Sequence, residues 1–540
     1  MTQDTNFKQQ TKELIDSLKA VCAGAGLGNT AGEFNIILQS FLYKFLNDKF
    51  SHEVKKMRPE LAEAENFQEA LEAIPEKEYQ MLSIKLNVNA AFLRTDQTLG
   101  FLFNQQNEAD FAKRFDDTLI DIAASNNALF AVSTEDGQKL QLFEGVVEKY
   151  VASKRDAFAK AIINKLVEFN FENIMNQGFD FFSTIFEYLI KDYNSDSGGK
   201  YAEYYTPHAV SKIMATILSP QGDQSVSIFD PSAGSGTLLM NLAHAIGPEN
   251  CTVYSQDISQ KSSNLLRLNL VLNGLVHSIG NVIQGNTMTD PYHKEGQQLR
   301  KFDYIVSNPP FKLDFSDDLE KLGASTNKDR FFAGLPNVPK KAKDKMAIYP
   351  LFIQHIMFSL SRKGKAAIVV PTGFITAQSG IEKRIREKLV EDKMLAGVVS
   401  MPSNIFATTG TNVSILFIDK NNDKDVVLLD ASNLGTMVKE GKNQKTVLSP
   451  EEEDQVIQTF TDKKAIDDFS VVVSYEEIAA KNYSLSAGQY FEVKIEYVDI
   501  TADEFATKMN DFETNLESLF VESKELEKEI QSNLKGVRYE

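Results

Sequence analysis

The tetrapeptide Asn308-Pro309-Pro310-Phe311 follows the apolar, β-branched run "YIVS". Neither proline has a backbone donor, so a central strand cannot continue through them. Asn308 offers an amide oxygen and Pro309 a carbonyl, and together they can accept both hydrogens of an exocyclic amine. An amine held this way keeps its nitrogen lone pair aimed at an electrophile, and the stiff prolines hold the acceptors without reorganisation. Phe311 adds a flat face on which a planar group can stack. The four residues therefore read as a clamp for a planar amine.

A second loop reads as the seat of the electrophile. In "FDPSAGSGTLLMNLA" an acidic residue, Asp230, ends a strand, and the small residues Ala233, Gly234, Ser235 and Gly236 lead into a helix at Thr237. Such a turn lets a nucleotide-like ligand approach the backbone, although a tight strand-to-helix turn without a ligand would look the same. The next strand ends in "YSQDIS", placing Asp257 27 residues after Asp230. A carboxylate at that spacing can accept ribose hydroxyls, or it can simply cap the following helix. Taken together, the two features favour a ligand with a ribose. The dinucleotide pattern G-x-G-x-x-G is broken by Leu239, three residues after Gly236, so an adenosyl cofactor is expected rather than NAD.

The surrounding periodicity says what positions these loops. Up to about residue 190 the pattern is helical, as in "FNIILQSFLYKFLNDKF", with apolar residues three and four apart. "DYNSDSGGKYAEYYTP" then reads as a polar linker. From about 225, the short runs "SVSIFD", "CTVYSQD", "NVIQGN", "FDYIVSN", "AAIVVP", "AGVVSMP" and "VSILFID" alternate with helical stretches. That alternation predicts an α/β fold, a parallel sheet wrapped by helices, with its last strand near Lys420. The final segment, 500 to 540, returns to helix. There Phe505, Met509, Phe512, Leu516, Leu519, Leu526 and Ile530 follow a coiled-coil spacing, interrupted by the polar seam residues Ser523 and Asn533. The expected organisation is a helical domain over 1–190, a Rossmann-like domain over 191–490 and a helical assembly tail over 491–540.

Composition narrows the class. A chain of 540 residues exceeds one core, and 42% hydrophobic with 24% charged residues is ordinary globular usage. No segment reaches the roughly 18 uninterrupted apolar residues of a membrane span, and the polar start "MTQDTNFKQQ" shows no signal-peptide pattern. Cys22 and Cys251 fit neither a disulfide framework nor a zinc site, which suggests a reducing cytoplasm, no membrane and no metal. Asp192, Asn194, Asp196 and Glu203 sit at calcium-loop spacings, but Ser197 stands where glycine makes that turn. A net charge of −18 argues against nucleic-acid binding by the bulk surface, so such a role needs a local basic channel or a basic partner. The densest positive cluster near the clamp is Lys340, Lys341, Lys343 and Lys345, which could border phosphates or be a solvated loop.

These motifs carry a family resemblance. "YYTPHAVSKIM", "DPSAGSGTLL", "YSQDIS", "GNTM", "SNPPF", "VVPTGFI" and "MPSNIFATTGTNVSILFI", in that order, resemble the modification subunit of type I restriction–modification systems, N6-adenine DNA methyltransferases of γ-type motif order. The resemblance implies a Rossmann-like fold and S-adenosylmethionine as cofactor. It places Tyr205, Thr206 and Pro207 at the methionine end of the cofactor, and Asp230, Ala233, Gly234, Ser235, Gly236 and Thr237 in its loop. By the same resemblance Asp257 takes the ribose, where a glutamate is common in the family, and Asn286 lies near the adenine. Asn308, Pro309, Pro310 and Phe311 become the target-base site, and an adenine inside duplex DNA must be flipped out to reach it. The implied partners are double-stranded DNA, a specificity (S) subunit that reads the sequence, and a restriction (R) subunit, with two modification subunits per S. Two other readings remain at this point, a protein-glutamine methyltransferase with a similar clamp and a non-catalytic S-adenosylmethionine-binding scaffold.

Overall fold

The computed structural model of the protein describes residues 3–86, 90–171, 206–219, 224–406, 412–440, 443–491 and 500–536. By internal contacts the chain divides into two units, Met1–Tyr490 and Phe491–Glu540.

The first unit opens with helices, among them α1 (Gln3–Gly24), α2 (Ala31–Met57), α3 (Phe111–Ser125) and α4 (Arg155–Val167). The start of α2 is set locally: the Thr30 side chain accepts the Glu33 N–H, and Glu33 in turn accepts the Asn29 N–H at 2.8 Å. The α/β portion supplies α5 (His208–Leu218), α6 (Thr237–Ile246), α7 (Gln260–Leu272), α8 (Tyr349–Ser359), α9 (Gly380–Glu391) and α10 (Pro450–Thr461).

One sheet of eleven strands runs through the unit. Its strands are β1 (Val132–Thr134), β2 (Lys139–Leu140), β3 (Val226–Asp230), β4 (Cys251–Asp257), β5 (Val282–Gln284) and β6 (Phe302–Ser307), then β7 (Leu360–Pro371), β8 (Leu395–Ser400), β9 (Val413–Asp419), β10 (Val426–Asp430) and β11 (Ser470–Val473). The spatial order is β11-β10-β8-β9-β7-β6-β3-β4-β5-β1-β2. The seven strand runs expected from sequence are all present, as β3 to β9. Three expectations are corrected. The sheet is mixed rather than parallel, because β9 runs antiparallel to both β7 and β8. The last strand does not fall near Lys420: β10 pairs parallel with β8, and β11 pairs antiparallel with β10. The helical N-terminal region is not purely helical either, since β1 extends the sheet by pairing parallel with β5.

That edge is fastened from below by a buried arginine. Arg267 of α7 donates to the carbonyls of Leu140 at 2.9 Å, Phe130 at 3.3 Å and Leu142 at 3.4 Å. Burial pulls its guanidinium down to about 10 from its usual value. One large apolar cluster extends from Leu14 of α1 through the sheet to Phe460 of α10, so the helices and the sheet bury one another.

β3 is the point where the strand order reverses. The chain leaves it outward through β4 and β5, then returns to place β6 on its other side. In open α/β sheets ligands bind at the carboxyl ends of strands at such a switch point. Phe229 of β3 and Phe302 of β6 stack with ring centroids 4.3 Å apart, joining the two strands beneath it.

The second unit contains, among the described residues, the one helix α11 (Ala502–Gly536), whose apolar residues Phe505, Met509, Phe512, Leu516, Leu519, Leu526 and Ile530 are all exposed.

Candidate active site

The loops after β3, β4, β5 and β6 meet at the carboxyl ends of the strands. Gly234 and Gly236 both take positive φ, 52° and 84°, which turns the chain sharply from β3 into α6. Asp230 is 1% exposed; its Oδ1 accepts the Ser232 N–H at 2.9 Å, and the Ser232 hydroxyl bonds that of Ser307 at 2.7 Å. Burial is the main cause that lifts the Asp230 carboxyl to about 7, with the nearby Asp257 adding to the rise.

Asp257 holds the glycine loop. One carboxylate oxygen accepts the Gly234 N–H at 2.9 Å and the other accepts the Ser259 N–H at 2.8 Å. The cap of α7 is Ser259, whose side chain accepts the Ser262 N–H, so the alternative reading of Asp257 as a helix cap is corrected. Each oxygen keeps further lone-pair capacity. Burial raises this carboxyl as well.

Gly236 also has a packing role. A Cβ at Gly236 would lie 2.2 Å from Leu266 Cδ1 on α7, so its lack of a side chain serves the turn and the packing of the loop on α7. The Ser235 and Thr237 hydroxyls bond each other at 3.1 Å, and the Ser235 carbonyl accepts from Asn269 at 3.2 Å. Ala233 is buried within the same loop.

Asn286 follows β5. Its Oδ1 accepts the Met288 N–H at 3.0 Å, and its own N–H donates to Glu135 at 2.9 Å, a residue of the β1–β2 turn. Thr287 Oγ1 donates to the Pro231 carbonyl at 2.7 Å, lacing the β5 loop to the β3 loop.

The clamp sits at the end of β6. Asn308 is half-buried and Pro309 buried, while Pro310 is exposed and Phe311 half-buried. Asn308 Nδ2 donates to Thr206 Oγ1 at 3.3 Å across 102 positions of sequence. This contact turns the amide so that Oδ1 is the atom left to accept an amine hydrogen. Thr206 is itself buried, and Pro207 leads directly into α5. Phe311 meets Tyr349 edge to face at 6.2 Å, and Tyr349 meets Phe374 at 6.3 Å. The Tyr349 hydroxyl donates to Glu382 on α9 at 3.3 Å.

Fourteen of the fifteen anticipated site positions, those from Ala233 to Phe311 together with Thr206, Pro207 and Asp230, fall on these four loops or on the threonine anchor beside them. Tyr205 and the calcium-spaced residues Asp192 to Glu203 lie outside the described residues. Sequence reasoning missed Ser232, Ser307, Glu135 and Tyr349. Only Tyr349 had a local signal, an aromatic heading the helix after the lysine-rich loop.

Comparison with known proteins agrees with this geometry. The family model described as N-6 DNA Methylase matches residues 177–498. The chain belongs to the N-6 DNA methylase family. A type I restriction enzyme methylase subunit, MpnII of Mycoplasma pneumoniae, is 27% identical over 73% of this chain and 75% of its own length. The MjaIX methylase subunit of Methanocaldococcus jannaschii is 27% identical over 70% of this chain and 67% of its own. Among solved structures, a type I restriction-modification system methyltransferase subunit from Streptococcus thermophilus shares the fold with a TM-score of 0.71, at 23% identity, covering 91% of this chain and all of its own.

Proposed function

We propose that this N-6 DNA methylase family member methylates N6 of adenine in double-stranded DNA, with S-adenosylmethionine as donor, as the modification subunit of a type I restriction–modification complex. The observation that carries the reading is the Asn308–Thr206 hydrogen bond, which dedicates the Asn308 oxygen to an amine. The residues fit the donor on their own chemistry: a positive-φ glycine turn, buried acidic groups at its mouth and Asp257 with lone pairs to spare. Asp230, Ala233, Gly234, Ser235, Gly236 and Thr237 would line it, Asp257 would take its ribose, Asn286 its adenine, and Tyr205, Thr206 and Pro207 its methionine end. When bound, the cofactor supplies an electrophilic methyl group on a sulfonium.

The chain's own task is positioning. Asn308 Oδ1 and the Pro309 carbonyl accept the two hydrogens of the adenine amine and leave its lone pair directed outward. Phe311, braced by Tyr349 and Phe374, stacks the base after it leaves the duplex. No general base is required before transfer, because the amine attacks neutral and sheds its proton afterwards.

The proposed partners are an S subunit, which reads the sequence, and an R subunit. The exposed apolar stripe of α11 suits a helical partner, and we assign it to the S subunit. In the assembled complex, Asn308→Ala should lower methyl incorporation into DNA by on the order of 10²–10³-fold, the loss seen when one preorganised polar group is removed, while calorimetry shows S-adenosylmethionine affinity retained. Near-normal turnover by that variant would overturn the reading.

A further inference from the structure

The carboxyl-end face of the sheet carries a feature the clamp and the cofactor loop do not use. Strand β10 runs parallel to β8, and β8 ends beside the start of β9, where Val413 pairs with Pro371 at the end of β7. The chain leaving β10 therefore emerges on the same face as the loops after β3 and β6. There it forms a two-stranded ribbon, Thr436–Glu440 paired antiparallel with Asn443–Val447.

The root of this ribbon is built. Glu452 of α10 accepts the Gly435 N–H at 2.8 Å on one side of the ribbon and the Ser449 N–H at 2.7 Å on the other, which clasps both strands. Gly435 needs its positive φ of 87°, and a Cβ there would lie 2.6 Å from Thr446 Cγ2. Thr446 Oγ1 donates to the Ser403 carbonyl at 2.6 Å in the loop after β8. The root is also coupled to the clamp: Lys212 of α5 pairs with Glu453 of α10 at 2.9 Å, and α5 begins at the Thr206–Pro207 segment that anchors Asn308.

Beyond this root the ribbon reaches into solvent. Met437, Val438 and Val447 are 55%, 40% and 43% exposed, and Lys439 is exposed as well. Residues 436 to 447 hold three lysines, Lys439, Lys442 and Lys445, against one acid, Glu440, so the segment is net +2 in a chain of −18. Five residues per strand at ~3.4 Å each give an arm of about 17 Å, and a two-stranded ribbon fits the major groove, which is about 12 Å wide.

We infer that the ribbon Thr436–Val447 is a DNA-contacting arm that grips duplex phosphates beside the extruded base, with Lys439 and Lys445 as contacts and Met437 against the groove wall. It answers the electrostatic problem set by the acidic surface, since a positive element on a rigid root at the catalytic face lets a negative chain approach DNA. This inference rests on the proposed action on duplex DNA. The chemistry favours nucleic acid over a protein partner, because the net +2 ribbon leaves the sheet at the carboxyl ends of its strands, where the clamp also lies, with Lys439 on one of its faces and Lys445 on the other, and the arm has the dimensions of a groove reader.

The test compares the wild-type complex with one carrying K439E and K445E, using duplex DNA from a strain that lacks the system. Methyl incorporation by the wild type checks the underlying reading by itself; if that fails, the arm falls with it. With an active wild type, the variant should raise KM for DNA about tenfold and reduce the slope of log affinity against log salt by about 2, one unit per lost phosphate contact. S-adenosylmethionine affinity and co-purification with the S subunit should hold. An unchanged KM and salt slope would overturn the inference. So would loss of co-purification with unchanged DNA affinity, which would make the ribbon a protein interface.

Discussion

The loop proposed for the cofactor and the proposed clamp follow the neighbouring strands β3 and β6, but they are made rigid in different ways. Between Asp230 and Thr237 the loop is tied by its neighbours' side chains: Asp257 holds the Gly234 amide, Thr287 holds the Pro231 carbonyl and Asn269 holds the Ser235 carbonyl. The clamp has the two prolines, a line of edge-to-face rings through Phe311, Tyr349 and Phe374, and the Thr206 hydroxyl on Asn308. A loop proposed to wrap a flexible ligand gains from many hydrogen bonds that share the load. A clamp proposed to offer its acceptors to a substrate has to keep those acceptors unspent, so its stiffness comes from prolines, from ring contacts and from a bond that uses the Asn308 amide N–H and not its oxygen.

The contrast can be broken at its most crowded point. Gly236→Val forces a branched side chain into a positive-φ position and against Leu266, so thermal unfolding should show a loss of stability larger than any change at the clamp, with much of the chain insoluble. A soluble, fully stable variant with weakened S-adenosylmethionine binding would instead mean that the glycine serves the ligand. Thr206→Val keeps the shape and removes one hydroxyl, freeing the Asn308 amide to turn over. Turnover should fall about fivefold, as expected for the net ~1 kcal/mol of a single hydrogen bond, with the melting temperature barely moved. An unchanged rate would show that the prolines alone fix the acceptor.

The smallest effect concerns Asp230. Its carboxyl titrates at about 7 in the fold, against an ordinary value of 3.8, so the folded state binds the extra proton between roughly pH 4 and pH 7. Stability of the ligand-free protein should therefore decline as pH rises through that window and level off above it. Asp230→Asn keeps the shape and carries no charge, so its melting temperature, followed by calorimetry from pH 5 to pH 8, should fall by a few degrees less than that of the wild type.

Strands β3 to β9 were legible because each is a β-branched run bounded by turn residues, with helical periodicity between them. β10, "VVLLD", obeys the same rule, but the polar stretch Asn421–Asp425 before it disguised it as an ending. β1 and β2 are three and two residues long, too short to show alternation, and exist because β5 offers them an edge. At the site, residue types announced the clamp and the turn. The Asn308–Thr206 bond and the Gly236–Leu266 contact join distant positions, so no local pattern could reveal them.

The continuation of the sheet into the N-terminal region decides where this chain can be cut. A shortened protein beginning at the linker would keep every motif, yet it would lose β1 and β2, leave the β5 edge unpaired and strip Arg267 of the three carbonyls that satisfy it. It would also lose Glu135 from the Asn286 amide. The helical region is thus a structural dependency of the catalytic sheet, and a minimal methylase carved from this sequence would have to carry it or be given a substitute edge.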